Sequence, residues 1–490
     1  MAKDEVDSFL EKWNEASMAT QNREQKMDEV SEMLEVMNGI TGIEDRLQDD
    51  VSDTIMKMTQ AGIKVWMLTG DKTETAINIG VATGLLAAEQ KALERPMFST
   101  ENFEKGGAFQ AQELQTKLRE VAEQARQAYQ QKRMFEGMVI DGKCLELALE
   151  PHNQKDFVAI CRNCSTVICC RVSPKQKGAV VRLIKQEEKA ITLAIGDGAN
   201  DCNMIMSADV GIGIRGLEGL QAFNVSDYGI SQFRFLQYIM LVHGRWCYRR
   251  IAILANYMFY KNFVCVLPQY FLGAVSGFSG QKLYNDILYQ FYNVCFTFVP
   301  IMVFAVLDQD VPKKASLKYP ELYIAGKERM YMNVQVSLGW IASGVWHGLV
   351  CFFIPYLVMS NGNITHEDGK ANDIWLVGSV VFFLVCLVTN LSVLLETCYL
   401  NWIVALGMSL SLLAWVLFQG YISGLHGVVV TSEFYGSMQR LLGCPMIYLI
   451  VLTSTAMALM ADIHAKGIKC SFFPSILHQV QAKVLAERSS

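Results

Sequence analysis

Six long apolar runs in the second half of the chain limit what it can fold into. A helix needs about 20 predominantly apolar residues to cross a bilayer. Stretches of that length recur near residues 252–276, 287–307, 335–359, 374–396, 400–420 and 445–463. In lipid every backbone N–H and C=O must be paired internally, so runs like these are helices. The charged residues crowd the first half instead. At 490 residues and 51% apolar composition, the simplest reading is a soluble domain followed by a membrane domain of six transmembrane helices.

The loops give the orientation. Lys313, Lys314, Lys318, Lys327 and Arg329 follow the second span, and Lys466, Lys469, Lys483 and Arg488 follow the sixth. The loops after the first, third and fifth spans carry one basic residue each, Lys282, Lys370 and Arg440. The positive-inside rule then puts the soluble half and the C-terminal tail in the cytosol. The sequon at Asn363 falls on the far side. A charged, helical N-terminus is not a signal peptide. The net charge of −5, with no basic stripe, points away from a nucleic-acid partner. Fourteen cysteines are scattered without a framework. Cys161 and Cys164 have C-x-x-C spacing but no second pair to complete a tetrahedral zinc site, so they read as reduced thiols.

In the soluble half, three apolar strands each end in residues suited to a phosphate. Ile63–Leu68 stops at Thr69, Gly70 and Asp71; Val167–Cys170 stops at Arg171, Ser173 and Lys177; Ile191–Ile195 stops at Gly196, Asp197, Gly198, Asn200 and Asp201. Short apolar strands alternating with helical segments imply a parallel sheet with helices on both faces. Ligands bind such sheets at the carboxyl ends of the strands. Asp197 and Asp201 supply hard oxygen ligands for Mg²⁺. Lys177 and Arg171 would neutralise phosphate charge, and Thr69 and Gly70 offer a hydroxyl and an amide.

Taken in order, "TGDK", "RVSPKQK" and "GDGAND" resemble the phosphorylation domain of P-type ATPases, an α/β domain built on a haloacid-dehalogenase-like core. "GIKVWMLTGDKTETAINIG", "ADVGIGIRGLEGLQA" and "YKNFVCVLPQYFLGAVSGFSGQKLYND" look like the type-four branch, the phospholipid flippases. The similarity runs from about residue 5 to about residue 465. It implies a helical lead-in over 1–40, the C-terminal part of the phosphorylation domain over 41–245, a six-span membrane domain over 246–465 and a cytosolic tail over 466–490. By resemblance, Thr69, Gly70, Asp71, Arg171, Lys177, Asn200 and Asp201 contact ATP or the phosphorylated site, and Asp197 and Asp201 hold Mg²⁺.

Asp71 lies in a D-K-T string but is not the phosphorylated aspartate of that family, which sits in D-K-T-G-T on an earlier strand. Here Glu74 follows Thr73. Asp141 in "MVIDGK" also follows an apolar strand, yet it lacks the threonine and reads as a structural turn. No catalytic nucleophile is therefore expected in this chain, nor the nucleotide-binding domain, the actuator or the first four spans. The chain alone is expected to be inactive.

In the membrane half, Lys261 and Asn262 fall inside the first span. An intramembrane lysine is costly and functional by default. Pro268 is expected to kink that helix and free carbonyls. In flippases the matching lysine lies on the headgroup path, so Lys261 and Asn262 are expected there. The second span has no Asp or Glu, which argues against a cation pump. The resemblance implies ATP-driven transfer of a phospholipid, with an aminophospholipid headgroup, from the exoplasmic to the cytoplasmic leaflet. The membrane is the plasma membrane or a Golgi or endosomal membrane, with a two-span accessory subunit as a partner. The alternatives are a half-pump needing a second chain and a non-catalytic membrane protein.

Overall fold

The computed structural model describes residues 9, 12, 13, 30, 47–87, 95–105, 108–216, 219–360, 372–424 and 434–489. The chain divides into two compact units, Met1–Gln48 and Asp49–Ser490. In the first, the described residues Phe9, Lys12, Trp13 and Val30 are helical, and the rings of Phe9 and Trp13 stack one turn apart. The rest of the lead-in expected over 1–40, like Asn363, lies outside the described residues.

The second unit begins with an α/β part. In chain order it contains α1 (Val51–Gln60), β1 (Met67–Leu68), α2 (Thr73–Ala82), β2 (Met97–Phe98), α3 (Ala111–Gln130), β3 (Phe135–Asp141) and α4 (Gly142–Ala148). Then come α5 (Gln154–Asn163), β4 (Cys164–Cys170), α6 (Pro174–Glu188), β5 (Leu193–Gly196), α7 (Cys202–Ser207), β6 (Val210–Ile214) and β7 (Tyr228–Ile230). Strand β3, "FEGMVID", is buried at all but one of its residues, as expected of a parallel strand covered on both faces. Along α3, Leu114, Leu118, Val121, Ala122 and Ala125 form the buried stripe that packs on it. Helix α6 starts at a reciprocal cap between Ser173 and Gln176 with Pro174 in its first turn.

The expected α/β arrangement is present, but the sheet comes in two parallel pieces. One has the order β1-β4-β3-β2 and the other β5-β6-β7. Among the described residues, β1 pairs only with β4 and β5 only with β6, so each piece ends in an open strand edge. Both residues of β1 are half-buried, whereas its neighbour β4 is buried at six of seven positions. Ile63 and Val65, just ahead of β1, and Leu193 and Ile195 of β5 pack on one apolar cluster around Met58, Ile212 and Leu236.

Among the described residues of the rest of the unit are six helical spans long and apolar enough to cross a membrane. They are α8 (Arg245–Val275), the pair α9 (Asp286–Phe291) and α10 (Phe298–Leu307), α11 (Val334–Met359), α12 (Ile374–Glu396), α13 (Trp402–Gly424) and α14 (Pro445–Phe472). Helix α8 begins earlier than its apolar run, because Arg245, Arg249 and Arg250 extend it beyond the hydrocarbon segment. It also runs through Pro268 without interruption, while the break falls in the second span, where Tyr292–Phe296 is a π-turn. Pro300 has no N–H for the Phe296 carbonyl four residues back. That carbonyl is taken instead by Asn390 Nδ2 of α12 at 2.9 Å and by the Ser411 hydroxyl of α13.

A charged, buried junction ties α8 to the segment after α10. Arg245 makes a two-pronged contact with Asp310 at 2.6 and 2.9 Å, and Arg249 pairs with Asp308. Both carboxylates have no exposed side-chain surface, 0% in each pair. Asp308 also accepts from the backbone N–H of Cys398 and Tyr399, at 2.8 and 2.9 Å. Lys327 reaches back to the carbonyl of Gly62 at 2.7 Å. The last helix, α15 (Ile476–Ser489), packs Val480 on Val311, Ala315 and Leu322 of the same junction, and Gln481 donates to the Asp310 carbonyl at 2.9 Å.

Removing one partner of a buried pair leaves a charge stranded away from water. Asp308→Ala is therefore expected to cost about 3–5 kcal/mol, read as a lower unfolding midpoint in detergent. Asp286→Ala, which breaks an exposed pair with Lys282, is expected to leave that midpoint nearly unchanged.

Candidate functional site

The turn after β1 is fixed to the end of β4 by backbone hydrogen bonds. Thr69 N–H donates to Cys169, Val172 N–H to Thr69 and Arg171 N–H to Asp71, at 2.9, 3.1 and 2.9 Å. Within the turn the Thr69 hydroxyl donates to Asp71 Oδ2 at 2.6 Å and accepts from the Asp71 N–H at 3.1 Å. Gly70 and Asp71 are exposed, and the space a Cβ on Gly70 would take is open. Arg171 has a left-handed backbone with φ of 53°, a conformation that costs a non-glycine residue about 1–2 kcal/mol. Its guanidinium lies 4.0 Å from Glu101.

The third strand end joins this group through α6. Lys177, in the first turns of α6, donates to Asp201 Oδ1 at 2.8 Å, and both side chains are largely buried. A Cβ on Gly196 would fall 2.3 Å from the Cβ of Asp201, so glycine is required where the chain folds back against that aspartate. Asp197 and Asn200 are exposed, and among the described residues no hydrogen bond engages either side chain. Thr69, Gly70, Asp71 and Arg171 thus form one hydrogen-bonded group and Lys177 and Asp201 a second, joined through the start of α6.

The donor set fits Mg²⁺. One free carboxylate and one held by a lysine match an ion that takes one or two protein carboxylates and fills its other positions with water and phosphate oxygens. Among the described residues no group of three or more His, Cys, Asp or Glu comes together. Cys161 and Cys164 are buried, and burial pushes the Cys164 thiol up to about 12, which disfavours the thiolate a metal would need.

Asp141 is occupied structurally. Its carboxylate caps α4 by accepting from Cys144 N–H at 3.0 Å and also accepts from the backbone and hydroxyl of Thr100. The next residue, Gly142, lies against Arg171, where a Cβ would fall 2.3 Å from the Arg171 carbonyl oxygen.

In the helices, Lys261 is 2% exposed and buried in the bundle. Its ammonium donates to the Thr297 hydroxyl at 3.1 Å and lies over the Tyr257 ring. Tyr292 donates to the Lys261 carbonyl at 2.9 Å. Asn262 is exposed on another side of α8 and donates to Met258, so the structure does not bring it to Lys261. Sequence motifs miss Thr297, Tyr257, Asn390 and Ser411 around this site. The available signal is Pro300, which frees the carbonyl that Asn390 and Ser411 satisfy.

The two glycines should respond differently to a methyl group. Gly142→Ala forces Cβ onto a backbone carbonyl and is expected to cost about 1–3 kcal/mol. Gly70→Ala enters open space and is expected to stay within about 0.5 kcal/mol of the parent. Chemical denaturation of both variants checks the contrast.

The family described as phospholipid-translocating P-type ATPase, C-terminal, matches residues 223–475. The chain is similar to the phospholipid-transporting ATPase DNF2 of Saccharomyces cerevisiae, at 37% identity over 97% of this chain and 30% of the relative. It is similar to phospholipid-transporting ATPase 10 of Arabidopsis thaliana, at 36% over 98% and 41%. Phospholipid-transporting ATPase ID of Homo sapiens is 35% identical over 99% of this chain and 42% of its own length. The chain thus spans well under half the length of these relatives. With the phosphate-suited strand ends and six apolar helices in one chain, it belongs to the phospholipid-translocating P-type ATPase family.

Proposed function

We propose that the chain supplies the Mg²⁺ and phosphate site and six spans of a pump that moves phospholipid from the exoplasmic to the cytoplasmic leaflet through an aspartyl-phosphate cycle. The observation that carries this reading is the Lys177–Asp201 contact at 2.8 Å, with exposed Asp197 following the end of β5. Lys177 and Arg171 would bind phosphate oxygens of ATP, and the exposed turn at Thr69, Gly70 and Asp71 would lie against the same group with Asn200. Asp197 and Asp201 would hold Mg²⁺, which when bound supplies positive charge to the phosphoryl oxygens. Lys177 orients the Asp201 carboxylate. Buried Lys261, which meets the uncharged Thr297 hydroxyl and Tyr257 ring, is suited to an anionic headgroup crossing beside α8. Asn262 faces away and would take part only at the outer surface of α8. The α/β half and the tail lie on the cytosolic side, in the plasma membrane or a Golgi or endosomal membrane, and a two-span accessory subunit is a partner.

The open edges of β1 and β5 favour a second element in the reading. The nucleophile is supplied by a strand from outside the described residues, in the same polypeptide or in a second chain, and the described residues alone are inactive. A strand seated between those edges would carry its C-terminal residue to Thr69, Lys177 and Asp201.

Radiolabelled ATP tests this directly. The 490-residue chain alone is expected to form no acid-stable phosphoenzyme. Label is expected when a polypeptide carrying the nucleophile strand and nucleotide domain is added, and to be lost with Asp201→Asn. Label on the chain alone that disappears with Asp71→Asn would overturn the assignment. In the complete pump, Lys261→Ala is expected to reduce lipid stimulation of ATP hydrolysis roughly tenfold or more, since about 1.4 kcal/mol of lost headgroup contact corresponds to that factor. Unchanged stimulation would remove Lys261 from the lipid path.

A further inference from the structure

A second buried polar cluster lies in the helices, apart from Lys261. His347 has no exposed side-chain surface, 0%, and stands thirteen residues into α11, about 20 Å from its start. Two other helices meet its ring. The Tyr260 hydroxyl of α8 lies 2.6 Å from Nδ1, the Ala458 carbonyl of α14 lies 3.0 Å from Nε2, and Asp462 Oδ2 of α14 lies 3.4 Å from Nε2. Beyond Tyr260, its hydroxyl is 2.8 Å from Ser392 Oγ of α12, which in turn donates to the Val388 carbonyl at 2.9 Å. The other oxygen of Asp462 accepts from Ser343 at 2.9 Å.

The donor and acceptor count fixes what this arrangement can hold. Nε2 faces two groups that only accept, so it carries a hydrogen in either charge state. Nδ1 faces a hydroxyl, which can donate or accept. With a neutral ring, Tyr260 donates to Nδ1. With a proton on Nδ1, the ring donates to Tyr260, Tyr260 donates to Ser392, and Ser392 donates to Val388. Every hydrogen then has an acceptor, and no backbone moves between the two states. The added charge lies beside the Asp462 carboxylate, whose side chain is 24% exposed and so reaches the surface of the bundle. An inert buried histidine needs only one of these two patterns to be satisfied.

The geometry points to a proton-binding site in the membrane half, in which His347 takes one proton against Asp462 and the Tyr260 hydroxyl turns from Nδ1 to Ser392 to receive it. The titratable groups facing it are Tyr260 and its neighbour Tyr257 on α8, Cys351 one turn along α11 and Asp462 on α14; α12 contributes the uncharged Ser392. Lys466, one turn beyond Asp462, is held by Glu396 at 2.6 Å and the Leu395 carbonyl at 3.0 Å. Occupancy would alter the charge of a cluster that ties four of the six helices together. The site is independent of the phosphate cluster and of Lys261.

The test is nuclear magnetic resonance of the whole chain in nanodiscs, with ¹⁵N-labelled histidine, between pH 4 and 9. Seven histidines contribute, and the His347 signals are assigned by their loss in His347→Gln. If that variant does not fold, the shift produced by Ser343→Ala assigns them instead. The expected result is one titration at Nδ1, with Nε2 protonated throughout and a midpoint that falls by about one unit or more in Asp462→Asn. Tyr260→Phe, which removes the reversible hydroxyl, is expected to lower it as well. A ring that stays neutral across the whole range overturns the proposal, as does a midpoint that Asp462→Asn leaves in place.

Discussion

The buried pairs Arg245–Asp310 and Arg249–Asp308 set the register of the helical half of this unit. Ions cost a great deal to remove from water, and only close partners and further hydrogen bonds offset that cost. Here the offset is complete on the acidic side. Asp308 takes Arg249 and two backbone N–H groups, and Asp310 takes both prongs of Arg245. The partners come from α8, from the segment after α10 and from the segment after α12. The node is therefore satisfied only when those three pieces of chain are in register. The last helix, α15, then covers it through Gln481 and Val480.

Much of this architecture can be read in the sequence, because hydropathy over twenty residues sums many small and consistent terms. The run at 374–396 coincides with α12 residue for residue. Helix α8 starts before its apolar run because its first turns carry three arginines. Their compensation comes from aspartates 59 and 65 residues away, which no local window contains. The break in the second span is of the same kind. Pro300 is visible, but the groups that satisfy the freed Phe296 carbonyl lie 94 and 115 residues from Phe296.

The phosphate site divides along similar lines. That Thr69, Arg171, Lys177 and Asp201 sit at strand ends follows from where the apolar runs stop. That Lys177 holds Asp201, and that Gly142 is pressed on Arg171, depends on crossings between strands. Adjacency in sequence groups Asn262 with Lys261. Successive residues of a helix point about 100° apart, and that angle separates a buried lysine from an exposed asparagine. The interruption between β1 and β5 has no signature in either strand, since an edge is defined by what lies beside it.

The same 100° has another consequence on α8. Tyr260 and Lys261 are consecutive, yet one joins His347 and the other joins Thr297. From Arg245 to Lys261 the helix contains no proline, so it behaves there as a stiff rod about 24 Å long. The arginines grip one end of that rod and the two side chains lie at the other. A small twist applied at the gripped end would swing both side chains in the same sense and by the same angle. Such a helix would act as a camshaft, carrying both buried contacts through one turn although each can exchange its own protons separately.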